Sequence, residues 1–214
     1  MKSFLIIGMG KFGHHLCDDL LELGADLMVV DWKEENVGDL IYKVTNVQIG
    51  DCCDPKVIKS LGVANFDTVF VTIGSNFQSS LEVTSLVKEM GAKHVISKAV
   101  RDIQAKFLLR NGADEVIYPD RDVALTLAKK CYSDDVFEYV DLDDDYAIVE
   151  IATPEKWIGS SIIELDIRKT YNVSIIGIKT NRKTDILPAP SYVFTGKEHL
   201  MVLGADKDIN GLVK

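Results

Sequence analysis

No apolar run in the 214-residue chain approaches the roughly 18 residues that a membrane span requires. The apolar start at Phe4 to Ile7 is cut by Gly8 before it could act as a signal-peptide core. The expectation is a cytoplasmic protein without direct membrane insertion, whose link to any membrane runs through a partner. Basic excess is also lacking: 24 Lys+Arg stand against 33 Asp+Glu, a formal net charge of -9 at pH 7. That field repels phosphate polymers and argues against nucleic acid as a partner, although backbone N–H groups and one or two local cations can still hold a mononucleotide. Cysteine is sparse. Cys17, Cys52, Cys53 and Cys131 have no C-x-x-C spacing and read as reduced, small buried apolar side chains. The four histidines, His14, His15, His94 and His199, form no recognisable acid, base or metal-ligand arrangement, and disorder is excluded by 47% hydrophobic residues.

What is present is an alternation of short β-rich apolar runs with longer helical patterns. Strands are expected at Phe4 to Ile7, Leu27 to Val30, Val47 to Ile49, Thr68 to Thr72, His94 to Ser97 and Glu115 to Ile117. Helical spacing falls at Phe12 to Leu23, Phe77 to Met90, Ile103 to Leu109 and Val123 to Lys130. Strands apolar on both faces, such as the one holding Val69-Phe70-Val71, predict a parallel sheet covered on both sides, hence an α/β Rossmann-type doubly wound domain over residues 1–133. The acidic stretches Ser133 to Asp135 and Asp141 to Asp145 read as a linker. Residues 134–214 then read as that linker and a smaller α+β domain: a strand at Ala147 to Ile151, a helix at Ser160 to Lys169, a strand at Val173 to Lys179, a turn at Pro188 and Pro190, and strands near Tyr192 to Phe194 and Leu200 to Leu203. So small a module gains core by dimerising.

The chemistry lies at the first strand's end. Gly8-Met9-Gly10-Lys11-Phe12-Gly13 is a G-x-G-x-x-G between strand and helix, with Asp31 ending the second strand. Gly8 allows the tight turn, Gly10 lets a phosphate approach the backbone, and Gly13 lets helix and strand pack closely. The helix N-terminus offers N–H groups to a pyrophosphate, and Asp31 can accept from both ribose hydroxyls while repelling a 2′-phosphate. Lys11 and Lys98 are candidate phosphate cations, with solvated surface lysines as the alternative for Lys11. Gly50-Asp51 and Gly74-Ser75-Asn76 follow the third and fourth strands and read as walls for adenine and ribose, or as turn chemistry. Asp120 either holds a divalent ion near phosphate oxygens or caps a helix.

With these motifs, and with Ile96 to Ala99, Asn111 to Pro119, Ser161 to Leu165 and Leu187 to Pro190, the chain resembles the KtrA/TrkA-type regulatory subunits of potassium uptake systems, built from RCK N-terminal and C-terminal domains, and is most similar to the KtrA type. The resemblance implies a non-enzymatic gating subunit. It implies ATP or ADP as ligand, a homo-oligomer such as an octameric ring or its dimer building block, and docking on an integral-membrane potassium transporter subunit of KtrB or TrkH type. Such a subunit lies peripheral to the inner face of the cell membrane. Gly8, Gly10, Gly13, Asp31, Asp51, Gly74, Asn76 and Lys98 match the family's nucleotide positions, and Met9, Lys11, Phe12, Trp32, Cys52 and Ser75 are counted with them. Lys11 stands where relatives carry a γ-phosphate-touching arginine, and Asp120 where they carry a metal-binding glutamate for Mg2+ or Ca2+. In the second domain the resemblance implies cyclic di-AMP binding between two copies by Ile163, Ile167, Arg168, Asn172, Ile175, Ile176 and Pro188; a plain dimer core is the alternative. NAD or NADH remain open as ligands, because they share the adenosine diphosphate portion. Two other readings stand beside the gating subunit: a small NAD(H)-dependent oxidoreductase and an NADH-responsive redox-sensing module.

Overall fold

The computed structural model of the chain describes residues 1–143, 145–181 and 183–213. It divides into two compact units, Met1–Asp120 and Arg121–Lys214. The first contains β1 (Ser3–Ile7), α1 (Lys11–Glu22), β2 (Asp26–Asp31), β3 (Asn46–Ile49), α2 (Pro55–Leu61), β4 (Thr68–Val71), α3 (Phe77–Glu89), β5 (Val95–Lys98), α4 (Asp102–Arg110) and β6 (Glu115–Ile117). All neighbouring strands run parallel, in the order β3-β2-β1-β4-β5-β6. β1 lies in the centre, which is why Leu5, Ile6 and Ile7 are at most 1% exposed. Each such side chain removed from water stabilises the sheet by about 1.5–3 kcal/mol. Alternate residues feed two cores: Leu5, Ile7, Val69 and Val71 on one face, Ile6, Leu27 and Val29 on the other. The doubly wound expectation holds. A helix without a sequence-based assignment, α2, begins with Asp54 accepting from Lys56 N–H at 2.9 Å and ends at Gly62 with φ 64°.

All four cysteines are free. Burial pushes the Cys17 thiol up to about 11, and burial with the Asp51 carboxylate beside it pushes Cys52 up to about 12, in keeping with unreactive packed thiols. Cys131 is exposed, against the expectation of burial.

Pro119–Cys131 forms α5. Its C-terminal lysines are fastened within the second unit: Lys129 pairs with Asp141 and Asp206, and Lys130 Nζ lies 2.8 Å from Glu138. The division between units thus falls at the start of α5, whereas the sequence reading puts the boundary at 133/134. The stretch read as linker holds β7 (Val136–Asp141), which pairs antiparallel with β8 (Tyr146–Ala152). Acidic residues flank β7, but Val136 and Tyr139 turn inward to the core. The expected helix at Ser160 to Lys169 is confined to α6 (Ile167–Tyr171). Upstream, Ser161 and Glu164 satisfy each other: Ser161 N–H and Oγ donate to Glu164 at 2.8 and 2.7 Å, and Asp166 takes φ 43°, closing a turn instead. β9 (Val173–Thr180) pairs with β10 (Lys183–Ile186), an exposed edge strand that the sequence reading lacks. The expected strand near Tyr192 to Phe194 is a single bridge between Ser161 and Val193. β11 (His199–Ala205) completes the sheet β10-β9-β11-β8-β7, and the one-turn α7 (Asp206–Ile209) follows it.

Glu150, on β8, is 6% exposed and accepts from Lys179 Nζ at 2.7 Å, with His199 Nδ1 2.8 Å from its other oxygen. Burial pushes its carboxyl up, but the hydrogen bonds from Lys179 and His199 outweigh this and hold it below the ordinary value. A depressed folded-state value gives stability that is present above the unfolded value, about 4.3, and is lost as the pH falls through the folded one. Glu150→Gln should therefore be less stable than wild type near neutrality, with the difference shrinking as denaturation curves are taken toward about pH 3. A difference that stays constant with pH would count against this.

Candidate functional site

The sheet order reverses on either side of β1, so the connections leaving the carboxyl ends of the paired strands β1 and β4 run in opposite directions and leave a crevice there. A cleft of about 660 Å³ occupies that position, a volume suited to a nucleotide. Its floor is the glycine turn. Gly8 has φ 98°, a left-handed value that glycine alone adopts at no cost, and a Cβ there would lie 3.0 Å from the Ile73 side chain. Gly13 packs against the turn so closely that a Cβ would collide with the Gly8 carbonyl oxygen. Gly10 is different: a Cβ at this position would meet nothing within 4 Å, because it points into the cleft space.

Gly10 is also the N-cap of α1, and no side chain caps that helix or supplies an acid in its first turn. By contrast, Asp54 caps α2, and Asn76 Oδ1 caps α3 by accepting from Ser79 N–H at 3.2 Å. The first-turn amides and positive dipole end of α1 are thus left for an anion. Two lysines border the same cleft: Lys11 at the turn itself and Lys98 at the end of β5, whose ammonium sits 5.4 Å from the centre of the Phe12 ring.

Asp31 lines the cleft at 6% exposure with both oxygens engaged. Oδ2 accepts from Met9 N–H at 2.7 Å; Oδ1 accepts from Lys33 N–H at 2.9 Å and from Asn36 Nδ2 at 3.0 Å. The carboxylate therefore ties the glycine turn to the end of β2 in a fixed orientation. A carboxylate has about four lone-pair sites, so capacity for a ribose hydroxyl remains.

Of the residues expected at a nucleotide, the structure brings Gly8, Gly10, Lys11, Phe12, Asp31, Trp32, Asp51, Cys52, Gly74, Ser75, Asn76 and Lys98 to one cleft, together with Asp120. Met9 and Gly13 do not line it: the Met9 side chain is 1% exposed in the core and only its N–H serves the site, through Asp31. Sequence reasoning missed Lys33, Asn36, Thr72 and Ser79. Thr72 Oγ1 donates to the Ile7 and Gly8 carbonyls and thereby holds the turn from the β4 side. No sequence signal marks that bond, since it joins residues 64 apart. Asn36 stands only five residues after Asp31, a spacing short enough to carry a local signal.

Residues 4–119 match the family model of the TrkA-N domain, and residues 146–214 match that of the TrkA-C domain. This chain belongs to the TrkA-type potassium-uptake family. Ktr system potassium uptake protein C of Bacillus subtilis (strain 168) is 35% identical to it over 213 residues, covering 100% of this chain and 96% of that protein. Ktr system potassium uptake protein A of the same organism is 34% identical over 208 residues, covering 97% and 94%. In fold, the TrkA-type chain resembles the GsuK channel bound to NAD, with TM-score 0.71 and 18% identity; the match covers 100% of this chain but only 39% of that one.

The second unit of this TrkA-type chain places the remaining candidates as follows. Ile163 is 67% exposed, and its N–H donates to the Pro190 carbonyl at 2.9 Å. Leu187 N–H donates to the Ile176 carbonyl at 3.0 Å, which sets Pro188 beside β9. Arg168 and Asn172 are exposed, and Asn172 ends α6 at φ 55°. Ile175 packs partly onto the core. Ile167 is 3% exposed inside that core, so its side chain offers no surface within this unit. No helix among the described residues is long and apolar enough to cross a membrane.

Proposed function

We propose that this chain is the nucleotide-responsive regulatory subunit of a potassium uptake system, binding an adenine nucleotide in the first unit and controlling a membrane transporter subunit through it. The observation that carries the reading is the uncapped N-terminus of α1, opening on a cleft that also presents a fixed Asp31 and two lysines. Such a site suits a diphosphate at the helix amides and a ribose at the carboxylate. Lys11 and Lys98 answer the added charge of a third phosphate, which makes ATP and ADP distinguishable; NAD and NADH share the diphosphate contacts. Among the described residues no three His, Cys, Asp or Glu gather as a metal cage. A lone Asp120 fits Mg2+ or Ca2+ only as an ion held mainly by phosphate oxygens and water.

Regulation follows if ATP and ADP favour different arrangements of paired copies, since a ligand shifts an equilibrium only by its differential affinity. Several sites in one ring multiply that bias when they switch together. In the second unit the same reading assigns the accessible surface of Ile163, Arg168, Asn172, Ile175, Ile176 and Pro188 to cyclic di-AMP between two copies, with Ile167 serving the core. The chain then works in the cytoplasm, at the inner membrane face, through its transporter partner.

Calorimetry with ATP, ADP and NADH, followed by potassium flux through the reconstituted transporter complex, tests both halves. Adenine-nucleotide binding with higher flux in ATP than in ADP is expected. Equal flux with both nucleotides would sink the switching claim, and no heat with any of them would remove the nucleotide reading altogether.

A further inference from the structure

A second cleft, of about 580 Å³, lies wholly within the second unit. It opens on the sheet face opposite the core, because Glu150 alternates with the core residues Val149 and Ile151. Its most buried group is the Glu150 carboxylate, covered by Lys179 and His199. These two are direct neighbours across β9 and β11, and the His199 ring stacks on Phe137 with centroids 3.8 Å apart and 16° between planes. Lys130, from α5, borders the cleft with its partner Glu138. Asn181, in the turn between β9 and β10, and Lys197, exposed just before β11, complete the border.

The charges do not cancel. Lys179 answers Glu150 and Lys130 answers Glu138, which leaves Lys197 as net positive charge in this cleft, on a chain whose overall charge is -9. We propose that the cleft is an anion site for a small phosphate-bearing solute, separate from the nucleotide cleft of the first unit. The donors Lys130, Lys179, Asn181 and Lys197 arrive from four separate segments: α5, β9, the turn after it and the stretch before β11. Such a set meets the tetrahedral oxygens of phosphate better than the two oxygens of a carboxylate, for which two donors suffice. Glu150 holds Lys179 and His199 in place before the ligand arrives, which lowers the ordering cost of binding. The Phe137–His199 stack adds a flat apolar wall for the organic part of a phosphate ester.

The test uses pyrophosphate as probe, titrated into the intact protein kept in saturating ADP. One saturable site per chain is expected. Lys197→Ala should weaken it about tenfold, as loss of one charge-assisted contact of roughly 1.4 kcal/mol implies, and Lys197→Glu should abolish it. Lys197 is exposed, so unfolding transitions equal to wild type show that both variants keep the fold. No saturable binding, or binding that neither variant changes, would overturn the proposal. Because the readout is a substitution in the second unit, that result is independent of whether the first unit binds adenine nucleotides.

Discussion

Gly10→Ala should leave the protein folded and cost it about tenfold to hundredfold in adenine-nucleotide affinity. The backbone at Gly10 has φ -77° and ψ -175°, an extended conformation open to any residue. A Cβ there meets no protein atom within 4 Å, so the folded chain accommodates it, apart from the roughly 0.5–1 kcal/mol by which alanine is a poorer N-cap. A diphosphate seated on the α1 amides needs that same space. Crowding it costs about 1–3 kcal/mol, equivalent to that loss of affinity. Gly13→Ala is the contrasting variant, because its Cβ strikes the Gly8 carbonyl and must distort the turn whether ligand is present or not. Calorimetry and denaturant unfolding of both variants separate the effects: lost binding with retained stability at Gly10, lost stability at Gly13. A Gly10→Ala protein that binds ATP as wild type does would refute the placement of the phosphates.

Asp31→Ala is expected to damage both properties at once. The carboxylate accepts from Met9 N–H, Lys33 N–H and Asn36 Nδ2, and only the first of these bonds is fully buried. An orphaned buried donor costs about 1–3 kcal/mol, and the two partly buried donors recover water, so a stability loss of about 2–4 kcal/mol follows. Nucleotide affinity should fall about a hundredfold, since a hydrogen bond to a charged group contributes roughly 1.5–3 kcal/mol. Asp31→Asn keeps the shape and one acceptor and should recover part of the stability with less of the affinity. Unchanged ATP affinity in Asp31→Ala would remove the ribose role and leave a structural brace.

Much of this is legible in the sequence. The apolar run at Phe4 to Ile7 and the glycine turn sit in consecutive residues, and Asp31 ends the next apolar run, so periodicity and steric rules suffice to read them. α2 was legible too, since Asp54-Pro55 and Gly62 carry start and stop signals that the sequence reading passed over. The C-terminal unit was read less well because its elements compete locally. Ser161 and Glu164 bond to each other and close a turn where helical spacing suggests a helix, and β10 carries no buried side chain to give it an alternating pattern. Met9 shows the limit of motif reasoning: it belongs to the glycine motif, yet its side chain serves the core and only its amide serves the site.

The sequence by itself determined the doubly wound first domain, the glycine turn and the presence of a smaller second domain, because each announces itself in a local pattern of apolar periodicity, glycine spacing or composition. Only the tertiary structure decided that Thr72 holds the turn, that Lys98 and Asp120 line the same cleft, and that Lys179 and His199 gather around Glu150. Those meetings depend on strand order and register: Gly8 and Thr72 are 64 residues apart, and Glu150 lies 29 residues from Lys179 and 49 from His199, joined by packing whose energy no local pattern records.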